Sequence, residues 1–342
     1  MSHSLETPLR RFTLMLAGED AVSEAALPPL GLPHERFLLA YQHPTQALPL
    51  APILMLGLGV PIEQVKNGIF ACLQAIHLHA TRDHLILTNP ALLALSPTDG
   101  SALFNAAKPL LAEDFGNTPF IPHHAYWFVK LGLVAADFVT LNTHSTDQAH
   151  GRNIDWWSPR DSTSEGVAKR WRKLQNEIQM LWHIDSTNDA REEQGLPRVN
   201  SIWLSGIGAL ADVYAPPEIE KATTLIGDHL LLAGLAQYLN KPYMHEIDGL
   251  ASDFAKPNNP LVGAFAWLNK PADIWPKLCA ALLAGHLDEI AIIDFPTATP
   301  RKRLYTRSDL LPNKGLLAIL QPLLFWRSPT SPSWEDFMGK NP

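Results

Sequence analysis

Apolar positions along this chain follow two different periods, and the period changes near the middle. The run "RRFTLMLAG" (10–18) is almost continuously apolar and closes on Gly18, the pattern of a buried strand. The runs "AIHLHA" and "HLILT" flank Thr81, Arg82 and Asp83, which predicts a β-hairpin. Residues 99–115, "DGSALFNAAKPLLAEDF", predict a helix capped by Asp99 or Ser101. "HHAYWFVKL" and "DFVTLNT" predict further strands. The N-terminal part, 1–142, therefore reads as mixed α/β with antiparallel strands.

Residues 143–163 are polar and turn-rich and read as an irregular connecting segment. Beyond them Val167, Trp171, Leu174, Ile178 and Leu181 recur at spacings of four and three. That spacing predicts an amphipathic helix over 167–183, with N-caps offered by Ser162–Ser164. From 199 to 321, strand and helix patterns alternate, and "DEIAIIDF" is apolar enough to be buried on both faces. "KRLYTR" is expected to pair back antiparallel. The expectation is an α/β fold whose C-terminal part, 164–328, holds a largely parallel sheet with helices on both faces. A tail, 329–342, follows, and the whole is expected to form one compact unit.

Charge narrows the partners. The 342 residues carry 27 basic and 34 acidic side chains, net −7, which argues against a nucleic-acid partner. The longest apolar run, 48–62, is too short to span a bilayer and is broken by proline and glycine, so no membrane partner is expected. "MSHSLETPLRRF" has no apolar signal-peptide core, and Cys72 and Cys279 lack metal or disulfide spacing. A cytoplasmic protein with reduced, buried thiols is the expectation. No motif calls for a cofactor.

Several constellations carry potential chemistry. Gly206, Gly208 and Ala211 fit the spacing of a dinucleotide loop, but Pro216 and Pro217 leave no room for its crossover helix. A glycine loop between two strands is the plainer reading. Ser205 lacks the preceding glycine of a nucleophile elbow. His77 and His79 share a strand face, whereas adjacent His123 and His124 point apart. Asp228, His229, His245, Glu246 and Asp248 stand at strand ends and are the best metal-ligand candidates. Lys169, Arg170, Arg172 and Lys173 form a basic helix face, open to an acidic partner or simply solvated.

The stretch 174–208, "LQNEIQMLWHIDSTNDAREEQGLPRVNSIWLSGIG", resembles a segment of a proteobacterial family of cofactor-independent phosphoglycerate mutase-like, or RpfE-type regulatory, proteins. Asn176, Glu177, Gln179, Met180, His183, Asn188, Arg191, Gly195, Pro197, Asn200, Ser201, Trp203 and Gly206 carry the likeness, with "HGRNI" at 150–154. A shorter form, around His183, Asn188, Arg191, Gly195, Pro197 and Asn200, is similar to archaeal-type phosphoglycerate mutases of the alkaline phosphatase superfamily. That resemblance implies two divalent metals, an aspartate-rich first strand and a serine nucleophile. This chain departs at each point. Its first strand ends "LMLAGED", no glycine follows Asp228–His229, and Ile184 stands where proline is usual. The resemblance therefore implies a non-catalytic regulatory or ligand-binding relative. The alternative is a metal-dependent phosphoryl-transfer enzyme with a site rebuilt around Asp228, His229, His245 and Asp248.

Asn188 and Arg191 are three apart and share a helix face. Gly195 and Pro197 are explained by a helix stop, but that pair is not. One expectation is a small anionic metabolite, phosphate or carboxylate, bound by His183, Asn188, Arg191, Asn200 and the Gly206–Gly208 loop. The other is that Arg191 pairs with Glu177 or Asp185 and fastens helix to sheet, which leaves a protein partner as the functional reading.

Overall fold

The computed structural model describes residues 9–20, 28–40, 47–116, 120–123, 125–247, 254, 259–311 and 334. The fold is mixed α/β, with one largely parallel sheet and antiparallel sheets elsewhere. The chain forms two compact units. The first joins Met1–Glu19 to Pro216–Pro342, and the second is Asp20–Ala215. The unit boundaries thus fall near 20 and 215, and residues 143–163 lie inside the second unit rather than between two.

The first unit is built on a six-stranded sheet. Its strand order is Tyr243–Met244, Leu225–Ile226, Phe265–Trp267, Arg11–Met15, Glu289–Asp294, Arg301–Thr306. All neighbours are parallel except the last pair, which is antiparallel as the sequence predicts. Strand Glu289–Asp294 is buried at every position. Its two end carboxylates are tolerated because arginines meet them: Glu289 pairs with Arg11, and Asp294 with Arg301 and Arg303. The helix Pro271–Leu283 buries Ile274, Trp275, Leu278 and Leu282 in the same core as Phe12, Leu14 and Ile292. Trp334, the one described residue of the expected tail, packs edge-on against Trp275 at 5.5 Å.

The second unit centres on the long strand Ile69–Ala80. It pairs antiparallel with Leu85–Thr88, forming the expected hairpin, with Tyr126–Lys130, and with Ser201–Ala209. Strand Ser201–Ala209 therefore belongs to an antiparallel sheet and not to the parallel one expected of the C-terminal part. One sheet face, with Ala71, Leu73, Ala75, Ile202 and Leu204, packs on the helices Pro97–Phe115 and Val167–His183. Two expected caps are replaced. Ser96 accepts from Asp99 N at 3.1 Å, and Asp161, not Ser162–Ser164, accepts from Gly166 N and Ala168 N. The expected strand "DFVTLNT" forms only at Leu141–Asn142, and its first part lies in a 3-10 segment, Leu133–Thr140, that buries Ala135 and Phe138. Burial three residues apart suits that helix and not a strand.

The first part of the segment 143–163, expected to be an exposed connector, is buried instead. Thr143, His144, Ser145, Thr146 and Gln148 are all under a tenth exposed. Gln148 donates to Asp20 at 2.7 Å and to Pro29 O at 2.8 Å, and accepts from Gly31 N at 3.0 Å. Glu35 accepts from Leu32 N at 2.6 Å beside Ser145. Burial raises the Glu35 carboxyl to about 7, with Asp147 and Asp20 pushing the same way. Burial lowers the His144 imidazole to about 4.

These two shifts act on stability with opposite signs. The raised Glu35 removes stability as pH rises from its unfolded value towards about 7. The lowered His144 removes stability as pH falls from its unfolded value towards about 4. Each is worth about 3 kcal/mol at its limit. The two slopes should largely cancel in the wild type between pH 4.5 and pH 6.5, each near its own unfolded value. Glu35→Gln should unmask the His144 slope, so urea unfolding at several pH values should show the variant gaining on the wild type by about 3 kcal/mol by pH 7. A stability difference that does not change with pH would refute the assignment.

Candidate functional site

The residues singled out around Arg191 do not converge on one pocket. The helix Ser186–Glu193 is capped by Asp185, which accepts from Thr187 N at 2.8 Å. It buries Asn188 and Arg191, which are 0% and 1% exposed. Arg191 Nε and Nη2 both donate to Pro197 O, at 3.2 and 3.0 Å. Nη2 also donates to Leu93 O at 2.5 Å, and Nη1 to Asp99 at 3.0 Å. The planar fork that would grip an anion is filled by carbonyls and one carboxylate. Its ion-pair partner is Asp99, and neither Glu177 nor Asp185.

The other members serve the backbone. Asn188 donates to Trp182 O and Val199 O and accepts from Val199 N, each within 2.8 Å. Asn200 bridges both polar groups of Leu78, accepting at 2.7 Å and donating at 2.9 Å. The His183 side chain is exposed, and its carbonyl accepts from Arg198 at 2.7 Å. Gly206 and Gly208 lie within strand Ser201–Ala209, not in a loop between strands. The register shifts there, since Phe70 faces Gly208 while Cys72 faces Ser205, so Gly206 sits at a bulge with φ of +66°. A Cβ on Gly206 would meet Ala51 N at 2.8 Å, and one on Gly208 would meet Pro49 Cβ at 2.4 Å. The glycines admit the helix Leu50–Gly57 onto the strand, rather than a phosphate.

Three of the strand-end candidates, Asp228, His245 and Glu246, do share a place. In the six-stranded sheet the chain runs from Leu225–Ile226 outward to Tyr243–Met244, then crosses back to Phe265–Trp267 on the other side. That reversal is a topological switch point, and ligands of open α/β sheets bind beyond the strand carboxyl ends there. A crevice of about 260 Å³ lies at this point. Asp228, His245 with Glu246, and Asn269 follow the three strands and line it. Lys270, Asp273 and Lys277, at and within the first turns of helix Pro271–Leu283, also line it. Sequence reasoning missed these three, because no motif marks a residue that only a helix start brings to a strand end.

Asp228 Oδ1 and His245 Nδ1 stand 3.7 Å apart, both mostly exposed. His229 turns away from them and stacks on Trp267 at 3.6 Å and 7°. Burial lowers its imidazole pKa, which favours the neutral ring in that stack. Tyr243 donates to Gly227 O, and its phenol is raised chiefly by burial. Asp248 lies outside the described residues.

The resemblance implies divalent metals, so the donors matter. Among the described residues no three or more of His, Cys, Asp and Glu gather in metal-holding geometry. Asp228 and His245 are two donors where a protein-held zinc ion takes at least three. Among the described residues the donor set does not fit the implied pair of metals. Other flagged residues are also occupied elsewhere. His77 Nδ1 contacts Arg198 O at 2.8 Å, His124 lies outside the described residues, and Arg170 of the basic face pairs with Asp114 and Asp137.

Replacing Arg191 tests its assignment. Lysine keeps the charge but cannot reproduce the fork, so Arg191→Lys should cost about 2–4 kcal/mol. Thermal unfolding should fall by several degrees. An unchanged melting temperature would return Arg191 to the list of ligand residues.

No protein-family model matches the chain, and no curated protein matches it. Two solved structures are similar to it over most of their length. A cofactor-independent phosphoglycerate mutase from Thermoplasma acidophilum shares 15% identity, over 89% of this chain and 91% of that one, with a TM-score of 0.37. The PH0037 protein from Pyrococcus horikoshii shares 12% identity, over 88% of this chain and 90% of that one, with a TM-score of 0.43.

Proposed function

We infer that the chain is a non-catalytic, regulatory ligand-binding protein, and that its ligand occupies the crevice at the carboxyl ends of the parallel sheet. The observation that carries this reading is the presence of both signs of charge in a switch-point crevice. Lys270, Asp273 and Lys277 come to it from the helix start, and Asp228, His245 and Glu246 from the strand ends. The lysines and the start of helix Pro271–Leu283 suit a phosphate or carboxylate. The carboxylates need hydrogen-bond donors, so the same ligand must carry hydroxyl or ammonium groups. A small hydroxy acid, amino acid or phosphorylated form of either meets both demands.

Among the described residues no serine, threonine or cysteine lines the crevice, which disfavours phosphoryl transfer through a hydroxyl or thiol nucleophile there. The Asp228–His245 contact is the one feature that favours the alternative, a metal-dependent phosphoryl-transfer enzyme.

Calorimetric titration of the full chain with phosphoserine and 3-phosphoglycerate, and with glycerol as the uncharged control, tests the reading. Saturable binding of an acid is expected, about tenfold weaker in Lys277→Ala, with glycerol silent. No saturation at millimolar acid, or an unchanged affinity in Lys277→Ala, would overturn it. Stoichiometric zinc or manganese together with turnover of 3-phosphoglycerate would favour the alternative.

A further inference from the structure

The second unit holds a larger opening, of about 810 Å³, within the size range of small-molecule sites. It lies between the short strand pair Leu141–Asn142 and Arg160–Asp161 and the end of strand Ser201–Ala209. Its wall is divided. Pro49, Ile69, Val139, Leu141 and Ile207 supply an aliphatic side. Asn142, Asp161, Ser162, Thr163 and Asp212 supply polar groups, and among the described residues no lysine or arginine lines the space.

The polar groups are not equally committed. Asp161 uses both oxygens to cap the helix Val167–His183. Asp212 accepts one bond, from Ala209 N at 3.3 Å to Oδ2, and its Oδ1 takes none from the described residues. The Asn142 amide also makes no side-chain hydrogen bond among the described residues. At the mouth, Tyr214, Val139 and Ile69 are 63%, 44% and 37% exposed. Leaving such apolar surface beside an opening is costly in water, and an apolar ligand body would cover it.

We propose that this cavity binds a small amphiphilic cation, an amine carried on an aliphatic or aromatic body. The body lies against Ile69, Val139 and Ile207. The ammonium group meets the free oxygen of Asp212 and the Asn142 carbonyl oxygen, and the Tyr214 ring offers a further cation-binding face. An anion is disfavoured here because both charged groups on the wall are carboxylates. This cavity is independent of the crevice in the first unit, and its ligand has the opposite charge.

Binding of phenethylamine, 2-phenylethanol and phenylacetate to the full chain, read by ligand-observed NMR and calorimetry, tests the proposal. The three probes share a body and differ in charge. Phenethylamine should bind most tightly, the alcohol more weakly, and phenylacetate not at all. Asp212→Asn should weaken the amine at least about fivefold. Val139→Trp should weaken it as well, by filling the aliphatic side. Both positions are exposed, so both variants should keep the wild-type circular dichroism spectrum. The proposal fails if phenethylamine does not bind, or if the alcohol or carboxylate binds as tightly. It also fails if either substitution leaves the amine affinity unchanged.

Discussion

A guanidinium buried to 1% exposure must have its donors met, and meeting those of Arg191 organises the second unit. Its partners come from three places: Leu93 before helix Pro97–Phe115, Asp99 in that helix, and Pro197 before strand Ser201–Ala209. Asn188, one turn earlier, fixes Trp182 and Val199 in the same way. Two side chains on one short helix thereby set where helix Val167–His183 ends and where the strand begins. The strand then enters the sheet beside Ile69–Ala80 in a single register. Each unmet donor would cost about 1–3 kcal/mol, so the arrangement tolerates little drift.

On the opposite face of the same sheet, polarity is again taken inside. Gln74 donates to Thr146 at 3.1 Å, and Trp203 Nε1 to His144 O at 2.8 Å, drawing the segment 143–150 onto the strands. Hydrogen bonding replaces water for these groups, so a run that is polar by composition behaves as core. The cost is borne by the ionisable members. Glu35 holds its proton to about 7 and His144 stays neutral to about 4, because neither can keep a charge there without a close counter-ion.

Much of the fold was legible where burial and period are local properties. The hairpin over 75–88, the amphipathic helix over 167–183 and the buried strand 289–294 all read correctly from spacing alone. Pairing partners did not. Strand Ser201–Ala209 looks like any apolar strand before a glycine turn, and nothing within it says that its neighbour is Ile69–Ala80. The polar segment 143–163 reads as exposed throughout, yet 143–149 is buried at all but Asp147, because side-chain composition reports hydration in the unfolded chain, and not the partners that folding supplies. Of the two expectations for Arg191 the fastening one holds, with Asp99 as its partner, and the sequence could not choose between them for a related reason. An arginine that holds carbonyls and one that awaits a phosphate present the same chemistry in sequence. The difference lies in Leu93 and Asp99, more than ninety residues away.

The strand-end residues were recognisable one by one, but their assembly depends on the backbone between them. Strands Leu225–Ile226, Tyr243–Met244 and Phe265–Trp267 are two or three residues long, so the chain leaves the sheet almost as soon as it enters. Gly227 makes the sharp exit possible. Its φ is +150°, and a Cβ there would stand 2.0 Å from Trp267 O. Close approach of the two strand ends then sets Asp228 beside the residues that follow Trp267, and lets His229 lie flat on that indole. The crevice is therefore a consequence of a backbone contact that only glycine permits. Its charged side chains can vary in kind, while their positions are fixed by that contact.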